Sequence, residues 1–449
     1  MALYDSSEER LRVMQAVLTQ QAASFTGTPG RASDRLPAPQ VQSHTDLDQA
    51  LEGADFVFCA IRVGGLSGRI TDERVALDLG VLGQETTGPG GLAYGLRTLP
   101  EMWRIADRVR AVAPGAYFLN FTNPAGMITE ALAQVLGDRV IGICDTPGVL
   151  AAHAVRALEV DPRRAQVDYV GLNHLGWLRR ILVDGADRLP ELLASDQPLR
   201  SLEEAQLFGP DWLRTLGSLP NEYLYYYYFN TDAVRSITEA PATRGEYLDR
   251  QQHAFYAAAD AAPDRALELW RRTIAEREAS YMAEAREGPR QGHQPGHQQG
   301  HQPGHDTGSD PNDGGDGDPA EADDRQTDGG YEQVALAVMA AIARDQRSTI
   351  ILNVRNNGTI AGLPPDAVIE VPSLVDGSGA RPLATVPPDL HQLGLMQQIK
   401  NVDRLIIEAA RDGSPELALR AFALHPLVGS VSTARSLLAG YRPQIPTLR

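Results

Sequence analysis

At 449 residues the chain exceeds the roughly 250 to 300 at which a single hydrophobic core stops growing, so two domains are expected. Hydrophobic residues make up 43% and cysteine occurs twice, which suits a globular protein with reduced thiols and excludes a disulfide framework. The formal charge of −17 argues against nucleic acid or anionic lipid as a partner, since either requires a basic face. The sequence has neither an apolar run of about 18 residues, as a bilayer span would need, nor a signal-type start, so the expected compartment is the cytoplasm.

Three short apolar runs, ADFVFCAI (54–61), AYFLNF (116–121) and RVIGIC (139–144), read as buried strands. They are bounded by Gly, Pro or Asn and rich in branched or aromatic side chains. Between them GLAYGLRTLPEMWRIADRVRAVA and AGMITEALAQVL have helical spacing. Strand and helix in alternation imply right-handed crossovers, a parallel sheet, and a ligand at the strands' C-terminal ends. The segments at those ends are RVGGLSGR (62–69), TNPAG (122–126) and DTPG (145–148). Asn123 suits a helix N-cap with Pro124 first in the helix, and it suits a ligand contact equally.

Beyond position 150, AQVDYVGLNHLGWLRRILVDG predicts a strand pair around a turn. Residues 288–329 contain no large apolar side chain and carry nine acids against Arg290 and Arg325, so a disordered insertion is expected. Within it His293, His297, His301 and His305 recur among Gly and Pro, which keep them off any helix. A tolerated loop expansion therefore outweighs a specific metal site. YEQVALAVMAAIARD then predicts an amphipathic helix with Tyr331, Val334, Ala335, Val338 and Ile342 on its apolar stripe.

Taken singly, the chemically interesting residues have structural explanations. Cys144 reads as a small buried hydrophobe, His174 in GLNHLGW as a core histidine, Tyr223 in LPNEYLYYYY as a packing aromatic, and Glu85 in GQETTGPGG as a turn carboxylate. Together, GQETTGPGG, NFTNPAGM, VIGICDTPG, GLNHLGW, LPNEYLYYYY, ILNVRNNGTIAGLP and ALHPLVGS resemble glycoside hydrolase family 4, the NAD- and manganese-dependent phosphoglycosidases. They run in family order over nearly the whole chain outside the insertion. The 6-phospho-beta-glucosidase subgroup is the most similar.

The resemblance implies an α/β fold. A Rossmann-like parallel sheet would occupy residues 1–148, and a second α+β domain of the lactate/malate dehydrogenase-like type 149–449. It implies Cys144 and His174 as ligands of Mn²⁺, Tyr223 as the base at the sugar's C2 with Tyr225 and Tyr226 as alternatives, and Glu85 as the carboxylate tuning it. Asp145 would be the acid to the leaving group, Arg69, Asn123 and Asn173 would bind substrate, and Asp5 and Arg62 would bind NAD. The implied reaction is hydrolysis of a phosphorylated disaccharide by oxidation, elimination, addition and reduction. A homodimer or homotetramer is implied, with a sugar phosphate as partner.

Two departures from the family pattern stand out. Alpha-specific members tend to carry aspartate after the cysteine, so Asp145 leaves the anomer open between 6-phospho-beta- and 6-phospho-alpha-glucosidase. The opening MALYDSSEERLRVM resembles the family's second strand, with Asp5 at the ribose position. The first strand, glycine-rich loop and helix would then be missing, from a truncated or misplaced start, and NAD would bind poorly. Two other readings are a plain hydroxy-acid dehydrogenase and a cofactor-deficient sugar-phosphate binder.

Overall fold

The computed structural model describes residues 1–26, 39–280 and 331–448; the insertion expected at 288–329, with its four histidines, lies outside the described residues. Strands β1 (Ala2–Tyr4) and β2 (Gln42–His44) pair in parallel as a two-stranded sheet of their own. The three apolar runs become β3 (Phe56–Cys59), β4 (Tyr117–Asn120) and β5 (Val140–Gly142), paired in parallel as their alternation with helices requires. The intervening helices, Pro89–Val112 and Ala125–Leu136, fall on the stretches with helical spacing.

The rest of the sheet is antiparallel. The expected strand pair forms as β6 (Ala165–Leu172) and β7 (Leu175–Val183), extended by β8 (Ala186–Asp187) and β9 (Leu219–Pro220). After the helix Tyr331–Arg344, which buries Ala335, Val338 and Ile342 as its stripe predicts, come β10 (Ser348–Arg355), β11 (Val368–Asp376) and β12 (Gly379–Pro382). The strand order is β3-β4-β5-β10-β11-β6-β7-β8, with β12 on β11 and β9 on β7. One continuous sheet therefore joins the N-terminal parallel strands to the C-terminal antiparallel ones. Phe118 and Leu119, neighbours on β4, enter different apolar clusters, so the sheet has a core on each face.

The join between the two parts is narrow. β5 meets β10 at Gly142↔Asn353 and β11 meets β6 at Glu370↔Gly171, a single registered pair each. With Asn120↔Gly142, Asn353↔Glu370 and Gly171↔Gly176, these pairs make one row across six strands in which three polar side chains share the line with three glycines. The glycines are steric requirements. A Cβ on Gly142 would lie 2.4 Å from Thr129 Oγ1 and 2.7 Å from Asn353 Cβ.

Two local features bear on the site. The glycines after β3 lead into a helix, Gly65–Leu77, capped by Gly64 at φ 84°, and a Cβ at Gly64 would meet Arg97 Nε at 2.8 Å. That space lets Arg97 grip both oxygens of Asp72, at 2.9 and 2.6 Å. The cap expected at Asn123 is displaced by one residue. Pro124 takes the cap position, the helix begins at Ala125, and Asn123 Oδ1 accepts the Ala125 N–H at 3.2 Å across from a cis Asn123–Pro124 bond.

Replacing Gly142 with alanine should lower the stability by about 1–3 kcal/mol, the usual cost of overpacking. Urea unfolding reads this as a lower midpoint at unchanged slope; an unmoved midpoint would show that the row tolerates a methyl group.

Candidate active site

Because β3, β4 and β5 are parallel, the segments following them share one edge of the sheet. Cys144 lies just past β5 and is 4% exposed. Asp145 follows at the N-cap of the helix Thr146–Ala157, where its side chain makes no capping bond. Burial, then the nearby Glu370 and Asp145 carboxylates, push the Cys144 thiol well above its ordinary pKa. Without a cation beside it, this sulfur stays protonated.

His174 comes from the two-residue turn between β6 and β7, where Leu172 pairs with Leu175. It holds φ at +60°, a left-handed conformation that non-glycine residues rarely adopt and that clusters at functional sites. Its ring lies flat on Tyr223, with centroids 3.6 Å apart and planes 4° from parallel. Nδ1 sits 3.2 Å from Thr86 Oγ1, which leaves Nε2 as the nitrogen for another partner. Burial lowers the His174 pKa to about 3, against the opposing pull of Glu85, so the imidazole is neutral near neutral pH.

Asn221 places Tyr223 by accepting its backbone N–H at 3.0 Å. Of the alternatives in the tyrosine run, Tyr225 stacks on Phe229 with centroids 5.3 Å apart, and Tyr226 lies tilted at 6.1 Å from Tyr223. Tyr223 is thus the one laid against His174.

Glu85 is held by two guanidinium groups, with Arg62 Nη2 at 2.5 Å and Arg69 Nη1 at 2.8 Å. Burial resists its ionisation, but Arg62 and Arg69 outweigh that and hold its pKa at about 2. Arg69 also binds Glu73 through Nε at 2.7 Å and is 6% exposed, whereas Arg62 keeps a buried Nη1 with no hydrogen-bond partner. Asp5 and Asn123 bond within their own turns, Asp5 accepting the Ser7 N–H at 2.8 Å. A cavity beside His174 is lined by Thr86, Pro124, Gly126, Asn173, Tyr227 and His425, so the turn after β4 does reach this centre.

Sequence reasoning missed Glu370. This carboxyl is fully buried on β11 and accepts from Asn353 Nδ2 at 2.9 Å, Asn173 Nδ2 at 3.3 Å and the Tyr169 hydroxyl at 3.1 Å. Burial raises its pKa to about 7 against those three donors, and Asp145 reinforces the rise. The available signal was a lone acid inside the apolar run VIEVP.

The donor set bears on a metal. Among the described residues no group of three or more His, Cys, Asp or Glu side chains converges, so a divalent ion held by Cys144 and His174 would need further oxygens from a bound substrate. Asp5, the expected ribose contact, follows β1 in the separate two-stranded sheet, and Arg62 lies three residues before the helix that begins at Gly65.

Family sequence profiles match most of the chain: Family 4 glycosyl hydrolase over residues 1–160 and Family 4 glycosyl hydrolase C-terminal domain over 169–428. A probable 6-phospho-beta-glucosidase of Bacillus subtilis is 29% identical, the match covering 93% of this chain and 86% of that protein. The 6-phospho-beta-glucosidase of Escherichia coli is 30% identical, covering 87% and 78%, and the 6-phospho-alpha-glucosidase of Leptotrichia buccalis 26%, covering 88% and 81%. Among solved structures, the 6-phospho-beta glucosidase from Thermotoga maritima with NAD and glucose-6-phosphate superposes with a TM-score of 0.72 at 25% identity, covering 99% of this chain and 90% of that one. A 6-phospho-alpha-glucosidase from gut microorganisms with NAD and Mn²⁺ gives 0.69 at 26% identity, covering 98% and 90%.

Two buried histidines set an acid limit on stability. His174 and His425 both fall to about 3 from an ordinary 6.5 because of burial, so between those values the unfolded chain binds protons that the folded one refuses. The two histidines' share of the stability is complete above about pH 6.5 and declines as the pH falls toward 3. His425 Nδ1 accepts the Leu427 N–H at 3.1 Å, a bond an asparagine can imitate. His425→Asn should therefore lose less thermal midpoint than the wild type between pH 7.5 and pH 5; equal losses would remove His425 from this account.

Proposed function

The chain belongs to glycosyl hydrolase family 4, and from that premise we propose that it hydrolyses 6-phosphorylated glucosides with the help of NAD⁺ and Mn²⁺. The observation that carries the reading is the Tyr223 ring lying flat on His174, which sets the proposed base against a proposed metal ligand. Solved relatives that hold NAD, Mn²⁺ and glucose-6-phosphate support it. The beta anomer is the first reading, favoured by the relatives at 29% and 30% identity. Asp145 and the alpha-specific relatives favour the second. The setting proposed is cytoplasmic, in an assembly of two or four copies.

When bound, NAD⁺ would supply the hydride acceptor and donor for the sugar's C3, and Mn²⁺ a Lewis acid for the oxygen there. Tyr223 takes the C2 proton, which the ketone at C3 has made acidic, and Asp145 protonates the departing glycosidic oxygen. Cys144 and His174 hold the cation. His174 is suited because its imidazole is already neutral, whereas Cys144 must release a proton first. Arg62 Nη1 is the buried donor left for an anionic oxygen of substrate or cofactor. Glu85 keeps Arg62 and Arg69 in place, and its own negative charge faces the His174 side of the site.

Para-nitrophenyl 6-phosphoglucosides of both anomers test the reaction. The expected result is faster release from the beta anomer, dependent on both NAD⁺ and Mn²⁺, with no net NADH; Tyr223→Phe should lower kcat by about 10²–10⁴-fold. Release that persists after both cofactors are stripped overturns the redox route. Net NADH would mark a dehydrogenase, and binding without turnover a sugar-phosphate receptor. Since Cys144 loses one proton on metal binding, Mn²⁺ affinity followed by electron paramagnetic resonance should rise about tenfold per pH unit near neutrality; a pH-independent affinity would argue against a thiolate ligand.

A further inference from the structure

We propose that Glu370 is a positioning residue that fixes His174 and Tyr223 relative to each other through two separate hydrogen-bonded arms. The proposal rests on the reading that those two residues serve the reaction. From Oε1 one arm runs to the Asn173 amide at 3.3 Å, and Asn173 immediately precedes His174 in the turn. From Oε2 the other arm runs to the Tyr169 hydroxyl at 3.1 Å. The Tyr169 oxygen accepts from Asn221 Nδ2 at 3.4 Å, and Asn221 Oδ1 accepts the Tyr223 N–H at 3.0 Å. Asn353 Nδ2, at 2.9 Å, holds Oε1 from the β10 side.

The surroundings are shaped around this carboxylate. Glu370, Tyr169, Asn221 and Asn353 are all fully buried, so water does not substitute for a missing bond. A Cβ on Gly176 would lie 2.1 Å from the Tyr169 oxygen, so glycine there makes room for the hydroxyl. A buried carboxylate is an expensive way to fill space, and a hydrophobic residue of similar volume is often neutral or stabilising. What an apolar side chain lacks is the ability to accept from three donors on three other segments. Nor does glutamine suffice. Its single oxygen serves Asn173 and Asn353, but its amide turns a donor toward a Tyr169 oxygen that already accepts from Asn221, and the Tyr169 O–H then has no acceptor. Glu370→Gln therefore cuts the Tyr223 arm and spares the His174 arm. Tyr169→Phe cuts the same arm from its middle, and Glu370→Leu cuts both.

The test compares these three full-length variants with the wild type. Folding is monitored by circular dichroism, Mn²⁺ binding by electron paramagnetic resonance, and turnover on a C2-deuterated substrate with NAD⁺ and Mn²⁺. Following the usual 10–100-fold effect of residues that orient metal ligands, Glu370→Leu should weaken Mn²⁺ by about tenfold or more. Glu370→Gln and Tyr169→Phe should keep Mn²⁺ affinity within about threefold, yet lower kcat by about tenfold with little change in KM and a larger C2 isotope effect, as expected for a misplaced base. Combining the last two should cost no more than either alone. Wild-type kcat in Glu370→Gln, or wild-type Mn²⁺ affinity in Glu370→Leu, overturns the positioning role. If Glu370→Leu does not fold, the kcat of the other two variants decides. A wild type that binds no Mn²⁺ overturns the functional reading itself, a result distinct from one in which the wild type binds and the Glu370 variants match it.

Discussion

A strand inside a sheet must have both edges paired, and the edge of β5 is closed by β10, a strand from the far end of the chain. That single constraint creates the site. With β10 and β11 wedged between β5 and β6, the Glu370 carboxyl on β11 acts on Cys144 at the end of one strand and accepts from Asn173, the neighbour of His174, at the tip of a hairpin. The row Asn120, Gly142, Asn353, Glu370, Gly171, Gly176 records how tight the wedge is. Asn353 and Glu370 sit side by side at its centre, and glycines on either side supply the room.

Charge is managed on the same principle. Arg62, Glu85, Arg69 and Glu73 form a line running from half-buried to buried in which each ion touches an opposite one, the condition under which burial of charge is tolerable. The outcome is a carboxylate held ionised at Glu85, whose charge acts on a neutral imidazole at His174, while the Cys144 thiol, near Glu370 and Asp145, keeps its proton.

The elements that could be read from the sequence were those fixed by local pattern. β3, β4 and β5 are short apolar runs, the helix Ala125–Leu136 has its own periodicity, and the β6–β7 hairpin is two runs around Asn173 and His174. What local pattern did not contain is partnership across the chain. Asn123 suited a cap and a ligand contact equally, and of these the cap falls to Pro124, with the helix starting one residue later. Arg69, a substrate contact by the family resemblance, has two carboxylate partners in the fold. Which tyrosine of the run lies against His174 is set by an aromatic stack, which no spacing encodes. Glu370 carried the weakest signal of all, since its meaning lies in donors at positions 169, 173 and 353.

The strand order also dictates when the protein can become competent during synthesis. Segments β5 and β6 leave the ribosome almost together, yet they are not neighbours in the sheet; the hairpin that separates them is made long afterwards. Until it arrives, the nascent chain carries an open parallel edge and an undocked hairpin, the kind of non-local pairing that folds slowly and exposes apolar surface to its neighbours. The thiol, the imidazole and the phenol are all translated early, and they wait on the last third of the polypeptide to be brought into register.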